Sequence, residues 1–426
     1  MSEWKKVKLG ELYEVHNGLS KGRQYFGSGY PFLTFSTVFN NWFLPSTLDS
    51  LVQSSEKERT ACSIKRGDVF ITRTSETMDE LGMSSVALKD YPNATYNGFT
   101  KRLRPITDEV IPEYIGYYLR SKKFRGKFMA FSSMTTRASL ANDDLLSMEV
   151  EIPEKSTQQH IATILSRYDS LIENYQKQIK LLEEAAQRLY KEWFVDLHFP
   201  DHENTKIVDG VPEGWEKKRI AELGTVITGK TPSTSKRENY GGSIPFITIP
   251  DMHTGIFPVS SQFLSDIGAN SQKGKYIPVD SIMVSCIGTA GLVCISSRPC
   301  QTNQQINSLV LHDKRFLYFL YYAFLMLKEH LNNIGSNGAT MTNVNKSKFE
   351  SISLLIPTGN LISSYNDKAK PFFKNIRLLS SQIRLLTEAR DRLLPKLMSG
   401  EIAVDGGRPE RPLSCQVWKR KRTTAP

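Results

Sequence analysis

Two stretches of the chain place apolar residues at alternating steps of four and three. The first, between Ser156 and Trp193, contains neither glycine nor proline. This spacing is typical of the a and d positions of a coiled coil, so each stretch predicts a long helix with one apolar stripe. The stripes are Ile161, Leu165, Tyr168, Ile172, Tyr175, Ile179, Leu182, Ala186, Leu189 and Trp193, and then Tyr365, Ala369, Phe372, Ile376, Leu379, Ile383, Leu386, Arg390, Leu393 and Leu397.

An apolar stripe of this length needs a partner, because an isolated helix would expose it to water. The other helix is the nearest candidate. The order domain, helix, domain, helix predicts that the two run antiparallel, and a helix of about 36 residues would span about 54 Å. Pro371 predicts a kink or a late start in the second helix, and Trp193 and Phe194 are expected on an exposed face. The alternative is an ordinary helical hairpin that packs against its own domains.

Internal repetition sets the domain plan. Residues 4–12 (WKKVKLGEL) return as 215–223 (WEKKRIAEL), 64–72 as 277–285, 96–97 as 302–303, 152–153 as 356–357 and 178–182 as 382–386. The last two matches share one offset, whereas the front of each unit drifts in register and composition. Short β-branched runs separated by Gly/Ser/Asn-rich loops predict mixed fronts, with helices over 111–119 and 316–327 whose aromatic residues are expected in the core.

We therefore predict an α+β protein with two globular domains, separated by a long antiparallel two-helix coiled coil and related by a pseudo-two-fold internal repeat. The predicted boundaries are residues 1–152 for the first domain, 153–199 for the first long helix, 200–212 for a linker, 213–357 for the second domain, 358–399 for the second long helix and 400–426 for a disordered basic tail.

Composition adds a class of partner. The 55 Lys and Arg exceed the 44 Asp and Glu, which gives a formal net charge of +11 and hints at a polyanion. No apolar run is long enough to span a membrane and the start lacks the apolar stretch of a signal peptide, so we expect a cytoplasmic protein without a membrane partner. The five cysteines, Cys62, Cys286, Cys294, Cys300 and Cys415, lack zinc-site spacing.

Two motifs point to chemistry that their context does not favour. Residues 224–231 (GTVITGKT) match the P-loop pattern, which requires a buried strand before the loop and a helix after it; neither is expected here. Asp196, His198 and His202 have a possible metal-ligand spacing, but a solvated connector is favoured. No run of Asn or Asp followed by two prolines and an aromatic residue is present, so the chain lacks a methyltransferase signature.

Several segments, taken together and in this order, resemble one family. They are 189–200 (LYKEWFVDLHFP) with 210–215 (GVPEGW), 392–402 (RLLPKLMSGEI), 229–233 (GKTPS), 241–246 (GGSIPF) and 302–305 (TNQQ). They are similar to segments of the specificity subunits of type I restriction-modification enzymes, over nearly the whole chain from Trp4 to about Ile402.

The resemblance implies that the globular parts are target-recognition domains, each reading one half of a split double-stranded DNA site. The helices would set the spacer and bind two modification subunits, which hold S-adenosylmethionine and methylate adenine. Restriction subunits that use ATP and Mg would join them. The chain itself is then expected to be non-catalytic and to hold no cofactor and no metal. Because B-DNA rises about 3.4 Å per base pair, helices of about 54 Å would place the two domains about one and a half turns apart.

Basic and amide residues on loops at matching places in both units are the candidates for DNA contact, since phosphate contacts position a protein and base contacts specify. They are Lys21, Arg23, Arg73, Thr74, Asn97, Lys101, Thr136 and Arg137 in the first unit, and Lys230, Thr231, Lys236, Arg237, Thr289, Asn303, Gln304, Thr342 and Asn343 in the second.

Two other functions stay open from the sequence. One is a helical adaptor that scaffolds partner proteins without reading DNA, against which the divergent, loop-rich fronts argue. The other is an enzyme with an unrecognised site, such as a nuclease, for which the sequence offers no convincing pair of carboxylates.

Overall fold

A computed structural model describes residues 4–75, 81–131, 138–139, 141–335 and 342–404 of the chain. Its contacts divide into two units. Unit 1 consists of Met1–Ile172 and Leu385–Pro426, and unit 2 of Glu173–Arg384. Each unit is described by itself below. The domain boundaries predicted from the sequence follow the repeat rather than these contacts, and they remain a prediction.

The elements of unit 1 begin with a short strand and end with a long helix. They are β1 (Lys5–Lys8), α1 (Leu9–Leu12), β2 (Tyr13–Asn17), β3 (Phe26–Leu33), α2 (Phe35–Asn40), β4 (Leu51–Val52), α3 (Glu56–Ala61), β5 (Val69–Thr72), β6 (Thr74–Ser75), β7 (Ser84–Val86), β8 (Thr95–Tyr96), β9 (Thr100–Pro105), α4 (Pro112–Arg120), α5 (Lys122–Phe131), β10 (Ala138–Ser139), α6 (Asn142–Ser147), β11 (Glu149–Ile152) and the start of α7 (Lys155–Phe194).

The elements of unit 2 follow the end of α7. They are β12 (Ile207–Val208), β13 (Val211–Pro212), β14 (Glu216–Arg219), α8 (Ile220–Leu223), β15 (Gly224–Thr228), β16 (Tyr240–Ile247), α9 (Ile249–Met252), β17 (Gln262–Leu264), α10 (Asp266–Asn270), β18 (Ile282–Ser285), β19 (Val293–Ile295), β20 (Gln301–Thr302), β21 (Ile306–Leu311), α11 (Leu317–Met326), α12 (Lys328–Gly335), α13 (Lys346–Ser351), β22 (Ser353–Ile356) and the start of α14 (Gly359–Met398), whose end belongs to unit 1.

The sheets of the two units have the same topology. In the described residues, β2-β9-β5-β7 of unit 1 corresponds to β15-β21-β18-β19 of unit 2, β4-β3-β8 to β17-β16-β20, and β1-β11 to β14-β22. Even the register shift in the long strand recurs, between Phe26 and Tyr30 in β3 and between Tyr240 and Ile244 in β16. The repeat seen in the sequence is therefore a duplicated fold.

Aromatic helices fill the cores, as predicted. In unit 1, Tyr114, Tyr117 and Tyr118 of α4 are fully buried, and in unit 2 α11 buries Phe319 and Phe324. Burial of each such side chain contributes about 1.5–3 kcal/mol, so these two helices anchor the sheets on which the loops of each unit are built.

Within each unit, the start of one long helix meets the end of the other. In unit 1, Arg390 near the end of α14 donates to Asp169 in the first part of α7 at 2.6 Å. In unit 2, Trp193 at the end of α7 packs against Tyr365 at the start of α14, with ring centroids 5.9 Å apart. Both contacts have the antiparallel order, so the predicted fold class is confirmed.

The predicted stripe residues of the helices are either buried or half-buried. Ile161, Leu165, Ile376 and Leu379 are buried, whereas Ile172, Ile179, Leu182, Leu189, Ile383, Leu386 and Leu393 are half-buried. Half-burial is what one partner helix provides, because a two-helix seam stays open to water on its flanks.

Of the kink or late start that Pro371 predicts, the late start is wrong. Helix α14 begins at Gly359, because Ile362, Tyr365 and Ala369 before the proline are buried and their packing outweighs one lost backbone hydrogen bond. Trp193 does not lie on an exposed face, since only 6% of it is exposed.

Among the described residues, no helix combines the length and the apolar character that a bilayer crossing requires.

Candidate nucleic-acid interface

In unit 2, three loops meet at one end of the sheet because its strands are antiparallel. Thr228, the last residue of β15, pairs with Asn307, and Ser285, the last residue of β18, pairs with Ile306 at the start of β21. The loops after β15 and β18 and the loop before β21 must therefore lie side by side. A fourth segment joins them, since Asn343 forms a bridge with Ile287. We call residues 229–237, 286–292, 303–305 and 342–345 the unit 2 loop cluster.

Unit 1 has its loops at the corresponding end of its sheet. The last residue of β2, Asn17, pairs with Lys101, and the last residue of β5, Thr72, pairs with Thr100 at the start of β9. Residues 18–25, 73 and 97–99 are the described parts of what we call the unit 1 loop cluster. Loops that a rigid sheet positions in this way are a common location for binding residues.

A glycine fixes the crossing of two loops in each cluster. A Cβ atom on Gly18 would lie 2.2 Å from the carbonyl oxygen of Asn97, and one on Gly229 would lie 2.1 Å from the carbonyl oxygen of Asn303. No side chain fits at such a distance, so the crossing requires glycine at both positions. The two clusters thus share one backbone arrangement at the same place.

An asparagine turn is the second shared feature. The Oδ1 atom of Asn97 accepts from the backbone N–H of Phe99 at 2.7 Å, and Oδ1 of Asn303 accepts from that of Gln305 at 3.2 Å. Asn303 is only 9% exposed, and its Nδ2 donates to Oε1 of Gln305 at 3.0 Å. Of the predicted contact residues, Asn97 and Asn303 therefore hold the loops with their side chains.

The unit 2 loop cluster presents an open set of cations and polar groups. Lys230, Lys236, Arg237, Thr289, Gln304 and Asn343 are exposed, and Thr231 and Thr342 are half-buried. Thr231 donates its hydroxyl to Oε1 of Gln304 at 2.6 Å, which joins the first loop to the third. Within the described part of the chain, Lys230, Lys236 and Arg237 form no ion pair with a carboxylate, so their charges are available to a polyanion.

Lys21, a cation of the unit 1 loop cluster, already interacts with groups of the protein itself. Lys21 donates to Oε2 of Glu58 and to the carbonyl of Gln53, both at 2.8 Å, and its ammonium lies 5.1 Å from the centre of the Tyr25 ring. The hydrogen bond from Lys21 is the main reason why the pKa of Glu58 falls to about 2. Arg23, by contrast, is exposed.

Two further cations of unit 1 lie deeper. The half-buried Arg73 points its guanidinium at the carbonyl of Gly98, 3.5 Å away. Lys101 is 4% exposed and donates to Oδ1 of Asn142, and burial lowers its pKa. Lys101 therefore stabilises the loops from within and is left out of the proposed contact surface. The side chain of Thr74, and all of Thr136 and Arg137, lie outside the described residues.

One exposed residue escaped the sequence-based selection. Phe99 follows the Asn97 turn and is 61% exposed, whereas the predicted contact residues are all basic, hydroxyl or amide residues. Its signal in the sequence was an apolar residue inside a loop, directly after an Asn-Gly pair.

The P-loop match does not form a phosphate-binding loop. Residues Gly224–Thr228 are strand β15 itself, and the segment after Lys230 contains only a single 3₁₀ turn, Arg237–Asn239. The backbone N–H groups of Gly229 and Lys230 donate to the carbonyls of Ile306 and Thr302, at 3.1 and 2.9 Å. The donors that a P-loop offers to phosphate are therefore already used.

The possible metal ligands near residue 200 and the cysteines of unit 2 have structural roles. Asp196 pairs with Lys191 at 2.5 Å, and Nδ1 of His202 lies 2.9 Å from the carbonyl oxygen of Phe199. Across the described residues, no group of three or more His, Cys, Asp or Glu side chains is placed to hold a metal ion. Burial raises the pKa values of Cys286, Cys294 and Cys300 to about 12, which leaves their thiols protonated.

Comparison with known proteins identifies the family. The model of the type I restriction-modification DNA specificity domain matches residues 1–184 and 212–360. The HindI specificity subunit of Haemophilus influenzae is 32% identical, over 94% of this chain and 100% of that protein. The MjaIX specificity subunit of Methanocaldococcus jannaschii is 28% identical, over 95% of this chain and 94% of its own length.

A solved structure supports the fold. The specificity subunit of a type I restriction-modification system from M. genitalium superimposes with a TM-score of 0.58 and 14% identity, covering 92% of this chain and 96% of that one. At this identity the likeness concerns the fold alone.

The predicted function in DNA specificity is therefore confirmed, and the two alternatives, a helical adaptor and an enzyme, are not supported. Two family-model matches fall on the two copies of a duplicated fold, and a relative at 32% identity spans its full length. This chain belongs to the family of non-catalytic specificity subunits that recognise the DNA target of type I restriction-modification complexes.

Proposed function

We propose that each unit contacts one half of a bipartite double-stranded DNA target through its loop cluster. One observation carries this proposal. Each unit has its own copy of the same three sheets and a loop cluster at the corresponding sheet end, and the two clusters differ in the side chains that they expose. A duplicated scaffold with different exposed groups suits two different half-sites.

The exposed groups match the chemistry of a DNA surface. Phosphates attract the cations Lys230, Lys236 and Arg237, and these contacts would orient the protein on the duplex. In the major groove, arginine pairs with guanine and Asn or Gln with adenine, so Arg23 and Arg73 in unit 1 and Gln304 and Asn343 in unit 2 are the proposed base readers.

The partners belong to the proposal as well. Helices α7 and α14 would set the unread spacer and bind two modification subunits, which supply S-adenosylmethionine for adenine methylation. Restriction subunits, with ATP and Mg, would complete the complex in the cytoplasm. Exposed apolar residues on these helices, such as Leu181 at 65% and Leu378 at 56%, are suited to protein contacts.

Methylation mapping with matched variants tests the half-site assignment. In a host that carries the full system, Arg73→Ala is expected to relax the methylated motif in one half only, and Lys230→Ala to weaken methylation at all sites about equally. Lys65→Ala is the control, because the exposed Lys65 precedes β5 at the opposite end of the same sheet.

The outcomes separate the alternatives. Relaxation of one half by Arg73→Ala, with an unchanged motif for Lys65→Ala, supports reading by the unit 1 loop cluster. An unchanged motif for Arg73→Ala removes the role of that residue. Relaxation of both halves by a single substitution would overturn the assignment of one half-site to each unit.

A further inference from the structure

Phe99 is the most exposed aromatic residue that the structure describes. It is 61% exposed, compared with 41% for Tyr25 and 39% for Tyr30. Leaving a phenylalanine ring in water forgoes the stabilisation that its burial would give, so this position calls for an explanation.

The backbone under this ring is held by three hydrogen bonds. The N–H of Phe99 donates to Oδ1 of Asn97 at 2.7 Å, and its carbonyl accepts from the N–H of Arg73 at 3.0 Å. Next to it, the N–H of Gly98 donates to the carbonyl of Leu19 at 2.9 Å. The ring is therefore presented from an ordered turn, which lowers the entropy lost when it meets a ligand.

The turn itself does not require an exposed ring. Thr100 pairs with Thr72 as Ile306 pairs with Ser285, so Gln305 of unit 2 occupies the position of Phe99. There the side chain turns inward: Oε1 of Gln305 accepts from Asn303 at 3.0 Å and its Nε2 donates to the carbonyl of Ile287 at 3.4 Å. The same backbone turn thus forms with its side chain inside, and exposure of Phe99 is specific to unit 1.

The neighbours of the ring indicate what it meets. Phe99 belongs to the unit 1 loop cluster, with Arg73 hydrogen-bonded beneath it and the exposed Arg23 on the adjoining loop. A ligand that suits cations around one apolar group is a polyanion that carries an apolar feature. In the major groove of DNA, that feature is the C5-methyl group of thymine, which side chains such as Phe contact.

We propose that the Phe99 ring contacts the C5-methyl group of a thymine in the half-site bound by unit 1. This inference rests on the proposed function. Phe99 then discriminates thymine from cytosine at one base pair, a task that the cationic residues around it do not perform.

Uracil substitution tests the contact, because uracil pairs as thymine does and lacks only the methyl group. The target is first mapped by its methylation. The full complex is then bound to duplexes in which each thymine of the half-site assigned to unit 1, on either strand, is replaced by uracil in turn. For the wild type we expect binding to weaken about fourfold at one position, the factor that corresponds to one buried methyl group.

Three variants sharpen the result. Phe99→Ala is expected to bind thymine and uracil equally at that position, and Phe99→Leu to keep part of the preference. Ile106→Ala is the control, because Ile106 is 56% exposed but follows β9 at the other end of the sheet; its uracil response should equal that of the wild type.

Three outcomes would refute the methyl contact while leaving the half-site assignment intact. The weaker binding to uracil could persist in Phe99→Ala, the wild type could bind thymine and uracil equally at every position, or the half-site bound by unit 1 could contain no thymine. Absence of any preference of the wild type for its own target would instead refute the proposed function.

Discussion

The two loop clusters share one backbone arrangement and differ in what they present to solvent. Gly18 and Gly229 each lie against the carbonyl of an equivalent asparagine, Asn97 or Asn303, and these two asparagines form the same turn. Unit 1 exposes an aromatic ring and one arginine, whereas unit 2 exposes two amides and three cations that form no ion pair within the described residues. Recognition can therefore diverge in this fold through the exposed side chains, because the glycines and asparagines that shape the loops are the same in both units.

The sheets beneath the clusters differ at one buried position. In unit 1, Asp68 is fully buried and accepts two hydrogen bonds from Arg104, at 2.8 and 2.7 Å, and one from the N–H of Lys65 at 2.7 Å. These bonds raise the pKa of Arg104 above its usual value. In unit 2 the equivalent residue is Ser281, which donates its hydroxyl to the carbonyl of Pro278 at 2.9 Å. A proline has no N–H to give to a carboxylate, so the neutral hydroxyl suits unit 2.

The largest expected effect tests this difference. Asp68→Ala leaves the Arg104 guanidinium without its partner and should destabilise unit 1 by about 3–5 kcal/mol. Ser281→Ala removes one neutral hydrogen bond and should cost unit 2 only about 1 kcal/mol. Urea unfolding of the two variants, followed by hydrogen exchange in each unit, measures both. Equal losses would show that the buried ion pair contributes no more than the hydroxyl.

The loop crossing is the next test. Gly18→Ala and Gly229→Ala should each cost about 1–3 kcal/mol, because the new Cβ atom overlaps a backbone carbonyl, and each should abolish recognition of one half-site. Gly126→Ala and Gly274→Ala are matched controls, since a Cβ atom at either place meets nothing within 4 Å. Duplex binding by each variant provides the measurement, and tolerance of both crossing variants would contradict the shared arrangement.

Salt dependence compares the cations of the two clusters. The logarithm of the DNA-binding constant falls as the logarithm of the salt concentration rises. Loss of one phosphate contact makes this slope less steep by about 0.9, and we expect that change for Lys230→Ala. Lys21→Ala should change the slope less, because its charge is already paired with Glu58. Lys217→Ala, an exposed lysine on β14, should leave the slope unchanged. A larger change for Lys21→Ala than for Lys230→Ala would reverse the comparison.

The smallest effect is the pH dependence of the Lys21–Glu58 ion pair in unit 1. The pKa of Glu58 falls from 4.5 to about 2 in the folded chain, so the stabilisation from its pair with Lys21 is complete above about pH 4.5 and is lost as the pH falls towards 2. Because the pair lies at the surface, the loss should be small. Titration of the Glu58 carboxyl by NMR should place its midpoint near pH 2. In Lys21→Met the midpoint should rise but stay below 4.5, because the N–H and the hydroxyl of Ser55 still donate to the carboxylate. A midpoint near 4.5 in the wild type would exclude the pair.

Local patterns in the sequence were sufficient for the helices, the repeat and the family. The steps of four and three from Ile161 to Trp193 predicted α7, and the matches at Trp4 and Trp215 predicted two copies of one fold. Such signals survive in the sequence because the periodicity of a helix, and the similarity of two copies, are properties of residues read in order.

Exposure of individual loop residues was decided by the tertiary structure. Lys101 and Asn303 were predicted to be contact residues but are buried, whereas Phe99, which was not among the predicted residues, is exposed. Pro371 was expected to delay the start of the second helix but lies inside α14. Lys101 is buried against a partner that is distant in sequence: it donates to Asn142, 41 residues away. Composition and spacing do not encode such contacts, because only the folded sheet brings loops from different parts of the chain to one end.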